Sequence, residues 1–266
     1  MIFAPALRPD ARPLMAADAL AGRCALVTGA GRGIGVALAT ALAGRGCAVA
    51  LVGREEAALT RLAHTIDPSG KRVAAIAADI GDPQQIAAAA DRARARLGPI
   101  DILVNNAGTN LRGPLLEVDL ADWDRLMQVN LRGALAFCQT LMPAMIERGW
   151  GRVVNITSIY AQRPAANLGA YAVSKAALDM LTKALALETA ASGVTVNAIG
   201  PVQILTDLAR PSWENEERRR EITRQIPVGR WATPEDVAAA LLYLVSEGAA
   251  MTTGHTIFVD GGRLLL

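Results

Sequence analysis

Residues 24–35 read C-A-L-V-T-G-A-G-R-G-I-G, and this stretch decides the fold. Cys24–Thr28 is a short, unbroken apolar run of the kind that forms a buried strand. It passes into a glycine-rich turn, Gly29 to Gly35, and then into an Ala-rich segment that predicts a helix to about Gly44. A strand, a glycine turn and a helix start in that order leave the first backbone N–H groups of the helix facing outward. Together with the positive end of the helix they form a site for a pyrophosphate. Gly29, Gly33 and Gly35 each have a use there: a tight turn, close approach of a phosphate, and close contact between helix and strand.

The pattern repeats outward from that stretch. Apolar runs at Ala48–Val52, Val73–Ala78, Ile100–Val104, Arg152–Thr157, Val194–Ile199 and Thr256–Val259 read as further strands. Helical segments alternate with them. One opens at Asp82-Pro83 by an N-cap and a first-turn proline, one runs from Asp122 to about Glu147, and one from Ala170 to Ala191. T-P-E-D at 233–236 opens another, through Leu244. Strands without polar alternation, each followed by a helix, predict an α/β fold: a doubly wound parallel sheet of Rossmann type in a single domain, 21–266. Ligands of such sheets bind at the carboxyl ends of the strands. Gly29, Arg54, Asp79, Asn105, Ser158 and Pro201 all fall at such ends.

Composition narrows the function. Of 266 residues, 52% are hydrophobic but only 4% aromatic, so the core is built from Ala, Val, Leu and Ile. A net charge of +2 and no basic run give no surface for nucleic acid or membrane. Cys24, Cys47 and Cys138 are widely spaced in apolar surroundings and read as reduced core thiols of a cytoplasmic protein. His64 and His255 have no ligand-spaced partners, so no metal site is expected. No apolar run reaches membrane-spanning length. Residues 1–20, with three prolines in the first 13, read as a flexible leader, and Met15 is a second candidate start.

The reactive groups lie between Asn155 and Lys175, N-I-T-S-I-Y-A-Q-R-P-A-A-N-L-G-A-Y-A-V-S-K. Tyr171 and Lys175 are four apart and share one helix face. Ser158 closes the preceding strand, where a short loop can bring it beside the phenol. Two hydroxyls for a carbonyl oxygen, with a cation to lower the phenol's pKa, suit carbonyl chemistry. A Tyr–Lys pair alone is more often a solvated helix face; its surroundings distinguish it here.

With T-G-x-x-x-G-I-G at 28–35, N-N-A-G at 105–108, a helix asparagine at Asn130, Ser158, and Y-x-x-x-K at 171–175, the chain resembles the single-domain short-chain dehydrogenase/reductase superfamily over about residues 20–262. The resemblance implies a nicotinamide-dependent oxidoreductase that interconverts a ketone and a secondary alcohol. It implies Tyr171 as acid/base and Lys175 as the group that lowers its pKa and holds the nicotinamide ribose. Ser158 would polarise the carbonyl, and Asn130 would hold a water relay. For the cofactor it implies Ile34 beside the glycines, Asp79 and Ile80 near the adenine, Asn106, Ala107 and Gly108 along the cofactor, and Pro201, Ile204 and Thr206 near the carboxamide or phosphates. Valine at 202, where the family often has glycine, predicts a slightly different loop path. A 3-oxoacyl-carrier-protein reductase, a sugar-acid reductase of the gluconate 5-dehydrogenase kind, and a non-catalytic nucleotide-binding protein are the alternatives.

Three expectations concern details. Enzymes that use NAD place Asp or Glu at the end of the second strand; here Gly53 and Arg54 stand there, with Arg32 in the glycine turn, which predicts NADP(H) over NAD(H). Leu111, Ile159, Tyr160, Gln162, Leu205, Leu208 and Trp213 are expected to line a mixed, mostly apolar pocket, and the polar stretch 205–225 to form a mobile lid. Apolar residues around much of helices 122–147 and 170–191, with Leu264-Leu265-Leu266 at the end, predict a homotetramer, as the resemblance also implies.

Overall fold

A computed structural model describes residues 16–206 and 213–266. Seven strands form one sheet in the order β3-β2-β1-β4-β5-β6-β7. They are β1 Cys24–Thr28, β2 Ala48–Gly53, β3 Val73–Ala77, β4 Ile102–Asn105, β5 Gly151–Ile156, β6 Val194–Pro201 and β7 Thr256–Val259. Every pairing is parallel. The order runs outward from β1 in both directions, so the chain switches direction between β1 and β4. That switch opens a crevice at the carboxyl ends of the strands.

The helices are α1 Ile34–Ala43, α2 Glu56–Ile66, α3 Pro83–Leu97, α4 Leu120–Met127, α5 Gly133–Glu147, α6 Gly169–Thr189, α7 Glu216–Arg224 and α8 Pro234–Leu244. They bury one apolar cluster on each face of the sheet. Leu38, Leu42, Val27 and Leu241 belong to one, and Leu26, Ile86, Phe137 and Leu141 to the other. Every residue of β1, β4, β5 and β6 is buried, which accounts for their unbroken apolar runs. Leu20, inside the expected leader, is also buried and hydrogen-bonds Arg45, so the packed chain starts ahead of residue 21.

The expected helix starts at Asp82 and Thr233 are present. The Asp82 side chain accepts from the Gln84 and Gln85 amides, and Thr233 forms a capping box with Asp236. The segment expected as one helix from 122 to 147 is interrupted. Residues Gln128–Arg132 form a π turn between α4 and α5. Val202 needs no unusual backbone: Asn167 is the non-glycine residue with positive φ among those described, and Val202 packs into the core. Among the described residues, no helix is long and apolar enough to cross a membrane.

Candidate active site

The glycine turn joins β1 to α1 with Gly29 at φ 63° and Gly33 at φ 56°. A Cβ on Gly35 would lie 2.2 Å from the Gly29 carbonyl oxygen, and one on Gly29 would lie 2.8 Å from Ala107 Cα. Side chains are therefore excluded where the turn meets the loop after β4. The amino end of α1 has no side-chain cap and no acid in its first turn, whereas α3, α4, α7 and α8 are each capped by their own Asp, Asn or Thr. Its outward N–H groups and positive end are left for an anion, which is what a cofactor pyrophosphate requires.

The loop after β4 is tied to that turn. Thr28 Oγ1 accepts from the Asn106 and Ala107 amides, each at 3.0 Å. Asn106 Nδ2 donates to the Thr28 and Gly29 carbonyls at 2.9 and 3.2 Å. Thr28 had no role of its own in the sequence reading, although it stands in the motif. Asn106 both lines the cleft and pins the turn.

A cleft of about 1070 Å³ opens over the carboxyl ends of β4, β5 and β6. Ile34, Asn106, Gly108, Ser158, Tyr171, Lys175, Pro201, Ile204 and Thr206 line it. Gly29, Arg32, Gly33, Gly35, Arg54, Asp79 and Ala107 follow the adjoining strand ends of β1 to β4 rather than its wall. Arg32 and Arg54 are exposed. The Ile80 side chain is buried in the apolar core.

Asn130 sits in the π turn, an irregularity often found at functional sites. It is 1% exposed, under the cleft, and joins three elements. Its Oδ1 accepts from the Thr109 amide at 2.8 Å, and its Nδ2 donates to the Thr109 carbonyl and to Ser174 Oγ on α6. Gly108 keeps the space above open, because a Cβ there would lie 3.3 Å from Lys175 Nζ and 3.4 Å from Asn130 Oδ1.

Tyr171 and Lys175 point to one place, as their spacing on α6 requires. Lys175 Nζ lies 5.8 Å from the Tyr171 ring centroid and donates to the Ile156 carbonyl at 2.8 Å. Burial drives the ammonium down to about 8. The phenol departs from expectation. Burial pushes Tyr171 up to about 12, while a hydrogen bond with Ser158 pulls the other way and Tyr160 adds a small upward push. In this protein desolvation outweighs the Ser158 hydrogen bond, so Tyr171 holds its proton at neutral pH. Tyr160 packs edge-on against Tyr171, with ring centroids 6.3 Å apart.

The substrate side of the cleft corrects the sequence reading. Ile159 is buried in the core, Gln162 bonds Asp179 on α6, and Leu111 lies off the cleft wall. Leu205 and Trp213 line a neighbouring cavity of about 700 Å³ instead. Leu208 lies outside the described residues. Among the described members of the expected set, Tyr160 alone lines the cleft. The lining is mixed: Asn110, Arg112, Gln203, Arg218, Glu221 and Gln225 stand in it beside Leu168, Val202, Ile222 and Trp231. Gln203 donates to Tyr160 Oη at 2.7 Å. Three of the six polar residues, Arg218, Glu221 and Gln225, sit on α7 or at its end, in a stretch whose polar pattern gave no inward face. His255 is exposed and donates its amide to Asn197 Oδ1.

Comparison with known proteins agrees with this geometry. A family model described as enoyl-(acyl carrier protein) reductase matches residues 29–263. Human L-xylulose reductase is 39% identical over 247 residues, covering 91% of this chain and 97% of the relative. D-threitol dehydrogenase of Mycolicibacterium smegmatis is 38% identical over 243 residues, covering 91% and 93%. The crystal structure of a gluconate 5-dehydrogenase from Burkholderia cenocepacia in complex with NADP and tartrate superposes with a TM-score of 0.88 at 36% identity, covering 93% of this chain and 97% of that one. A family model matching most of the chain, relatives 39% and 38% identical over nearly its whole length and the shared fold show that the chain belongs to the short-chain dehydrogenase/reductase superfamily.

Proposed function

We propose that this protein is an NADP(H)-dependent oxidoreductase that interconverts a polyhydroxylated ketone, of the sugar or sugar-acid class, and the corresponding secondary alcohol. One observation carries the reading: the hydroxyl pair of Ser158 and Tyr171, with Lys175, shares its cleft with the polar side chains of Asn110, Arg112, Gln203, Arg218, Glu221 and Gln225. Those polar groups suit a substrate with several hydroxyls or a carboxylate, and would be left unpaired against an acyl chain. The relatives named as acting on xylulose, threitol and gluconate support that class.

The bound cofactor would supply the hydride. Gly29, Gly33, Ile34 and Gly35 hold its pyrophosphate against the α1 amino end. Ser158 polarises the carbonyl, and protonated Tyr171 donates to its oxygen. Lys175 orders the ribose side of the cleft, and Asn130 fixes the π turn beneath it. Arg54 and Arg32 take the 2′-phosphate. A 3-oxoacyl-carrier-protein reductase is the weaker reading, because the turn at 190–193 before β6 is A-A-S-G and carries no base for an acidic carrier.

The test is a panel of ketoses, keto-acids and simple ketones assayed with NADPH and with NADH. Polyhydroxylated substrates should give the highest kcat/KM, with NADPH preferred. Arg54→Ala should raise KM for NADPH about tenfold and leave NADH nearly unchanged, as loss of a charge-assisted contact of ~1.5 kcal/mol predicts. Turnover of acyl thioesters alone would refute the substrate class.

The same reading includes a tetramer. Val173, Met180 and Leu187, seven apart on α6, are 42%, 62% and 85% exposed and form an apolar stripe. Leu265 and Leu266 are 88% and 62% exposed. A second copy of the chain would cover both. Light scattering at micromolar concentration should give four chains; a monomer would refute it.

A further inference from the structure

The carboxyl ends of β2 and β3 hold an ion pair that the proposed chemistry leaves unused. Asp79 follows β3, and its Oδ2 accepts from Arg125 Nη2 on α4 at 2.7 Å. Its Oδ1 accepts from the Gly81 amide at 2.8 Å, and its own amide donates to Gln85 Oε1 at 2.9 Å. The Arg125 guanidinium lies across Gly81 so closely that a Cβ there would be 2.5 Å from Nη1. Gln128, at the start of the π turn, donates to the Gly81 carbonyl. The loop is thus docked on α4 by two side chains, with a glycine that makes room for one of them.

Arg54 lies at the end of the neighbouring strand. It is exposed and makes no hydrogen bond or salt bridge among the described residues. It nevertheless acts on the Asp79 carboxylate at longer range. Partial burial works against the Asp79 charge, but hydrogen bonds from Arg125 and the Gly81 amide, with the charges of Arg125 and Arg54, hold the carboxyl below its ordinary value. An unpaired carboxylate at this place would draw Arg54 to itself and repel a phosphate.

We propose that Arg125 is a positioning residue for cofactor choice: by neutralising Asp79 across Gly81, it leaves Arg54 available to the 2′-phosphate of NADP(H). The inference rests on the NADP(H) reading above. Selectivity then depends on a pair of residues that need not touch the phosphate. Asp79 keeps its place in the loop, and Arg125 removes the electrostatic cost of having it there.

Calorimetric titration of the full chain with 2′,5′-ADP and with 5′-AMP tests this, because the two ligands differ by the 2′-phosphate alone. The wild-type protein should bind 2′,5′-ADP at least about tenfold more tightly; equal affinities would overturn the NADP(H) reading itself, and this inference with it. Given that preference, Arg125→Met should cut the affinity ratio about threefold to tenfold, through weaker 2′,5′-ADP binding, with 5′-AMP little changed. Adding Asp79→Asn to that variant should restore the ratio, because the competing charge is gone. Gly81→Ala provides an independent route. Gly81 has no positive φ, and the new methyl would displace the guanidinium without changing any charge. It should lower the ratio in the same direction, with circular dichroism and melting temperature checking the fold of each variant. An unchanged ratio in folded Arg125→Met, equal weakening of both ligands, or no recovery in the double variant would overturn the proposal.

Discussion

The floor and the roof of the cleft are built in opposite ways. The floor holds Asn130, Ser158, Tyr171 and Lys175 on a π turn, a strand end and a 21-residue helix, and all but Tyr171 are buried. The roof holds Gln203, Arg218, Glu221 and Gln225 on the segment after β6 and on α7, a helix with no buried residue. The floor is over-determined by packing, so its groups keep one geometry whatever occupies the cleft. The roof has little apolar burial to hold it, so its geometry can answer to the ligand. Chemistry should therefore reside in the floor and discrimination in the roof.

Removing the phenol tests that division most severely. Tyr171→Phe keeps the ring packing and should lower kcat by about 10²-fold or more. NADPH binding and melting temperature should stay near wild type. Near-normal turnover would take the proton donor out of the floor.

Lys175→Met comes next, because it separates activity from stability. The Lys175 pKa falls from 10.5 to about 8 on folding. Between those values the unfolded chain binds more protons than the folded one, so this group makes stability rise as pH climbs from about 8 to 10.5. The methionine variant should lack that rise and lose most of its turnover. The stability difference between wild type and variant should thus shift by on the order of 2 kcal/mol between pH 7 and pH 10. A pH-independent difference would show that the ammonium is not desolvated.

At the roof the expected effect is smaller and of another kind. Arg218→Ala should raise KM for a polyhydroxylated or carboxylate substrate by about threefold to tenfold, the loss of one exposed polar contact, and leave kcat within about twofold. A fall in kcat with KM unchanged would place Arg218 in the floor's role and collapse the distinction.

The same contrast explains what could be read from the sequence. Tyr171 and Lys175 are four apart on one helix, and the glycine turn is contiguous, so local periodicity fixes their relation before any packing is known. Asn130 was picked out by the family resemblance, but the π turn that presents it was not legible, because i→i+5 bonding leaves no compositional mark. The polar part of the lining on α7 was missed for a physical reason. Which face of α7 meets the cleft depends on the pairing of Ile204 with Ala232 and on Trp213 and Trp231 bonding to Thr206 and Thr223. Those contacts connect residues whose positions follow from the whole loop, and E-E-R-R-R carries no apolar stripe to orient it. The tyrosine pKa ran opposite to expectation because desolvation of the half-buried phenol depends on the surrounding side chains rather than on the Y-x-x-x-K spacing.

The mildest perturbation leaves the chain unchanged and measures its opening. Hydrogen exchange along 213–225 reports how often the roof's backbone is released. The α7 helix is held by its Asn215 cap, an Arg220–Glu216 pair on its outer face, and few apolar contacts, with Ile222 packed against the core. The 16–206 body has strands with no exposed residue in β1, β4, β5 and β6. Exchange in the unliganded protein should therefore be fast along α7 and slow along β5 and α6. Adding NADP with a polyhydroxylated alcohol should slow it along α7, because Arg218 and Gln225 would then have a partner across the cleft, while β5 and α6 should change little. Cofactor alone should give a smaller effect, since the roof residues face the substrate side. Equal protection of α7 with and without ligand would make it an ordinary solvated helix. The difference between floor and roof would then lie in side-chain chemistry alone, not in stability.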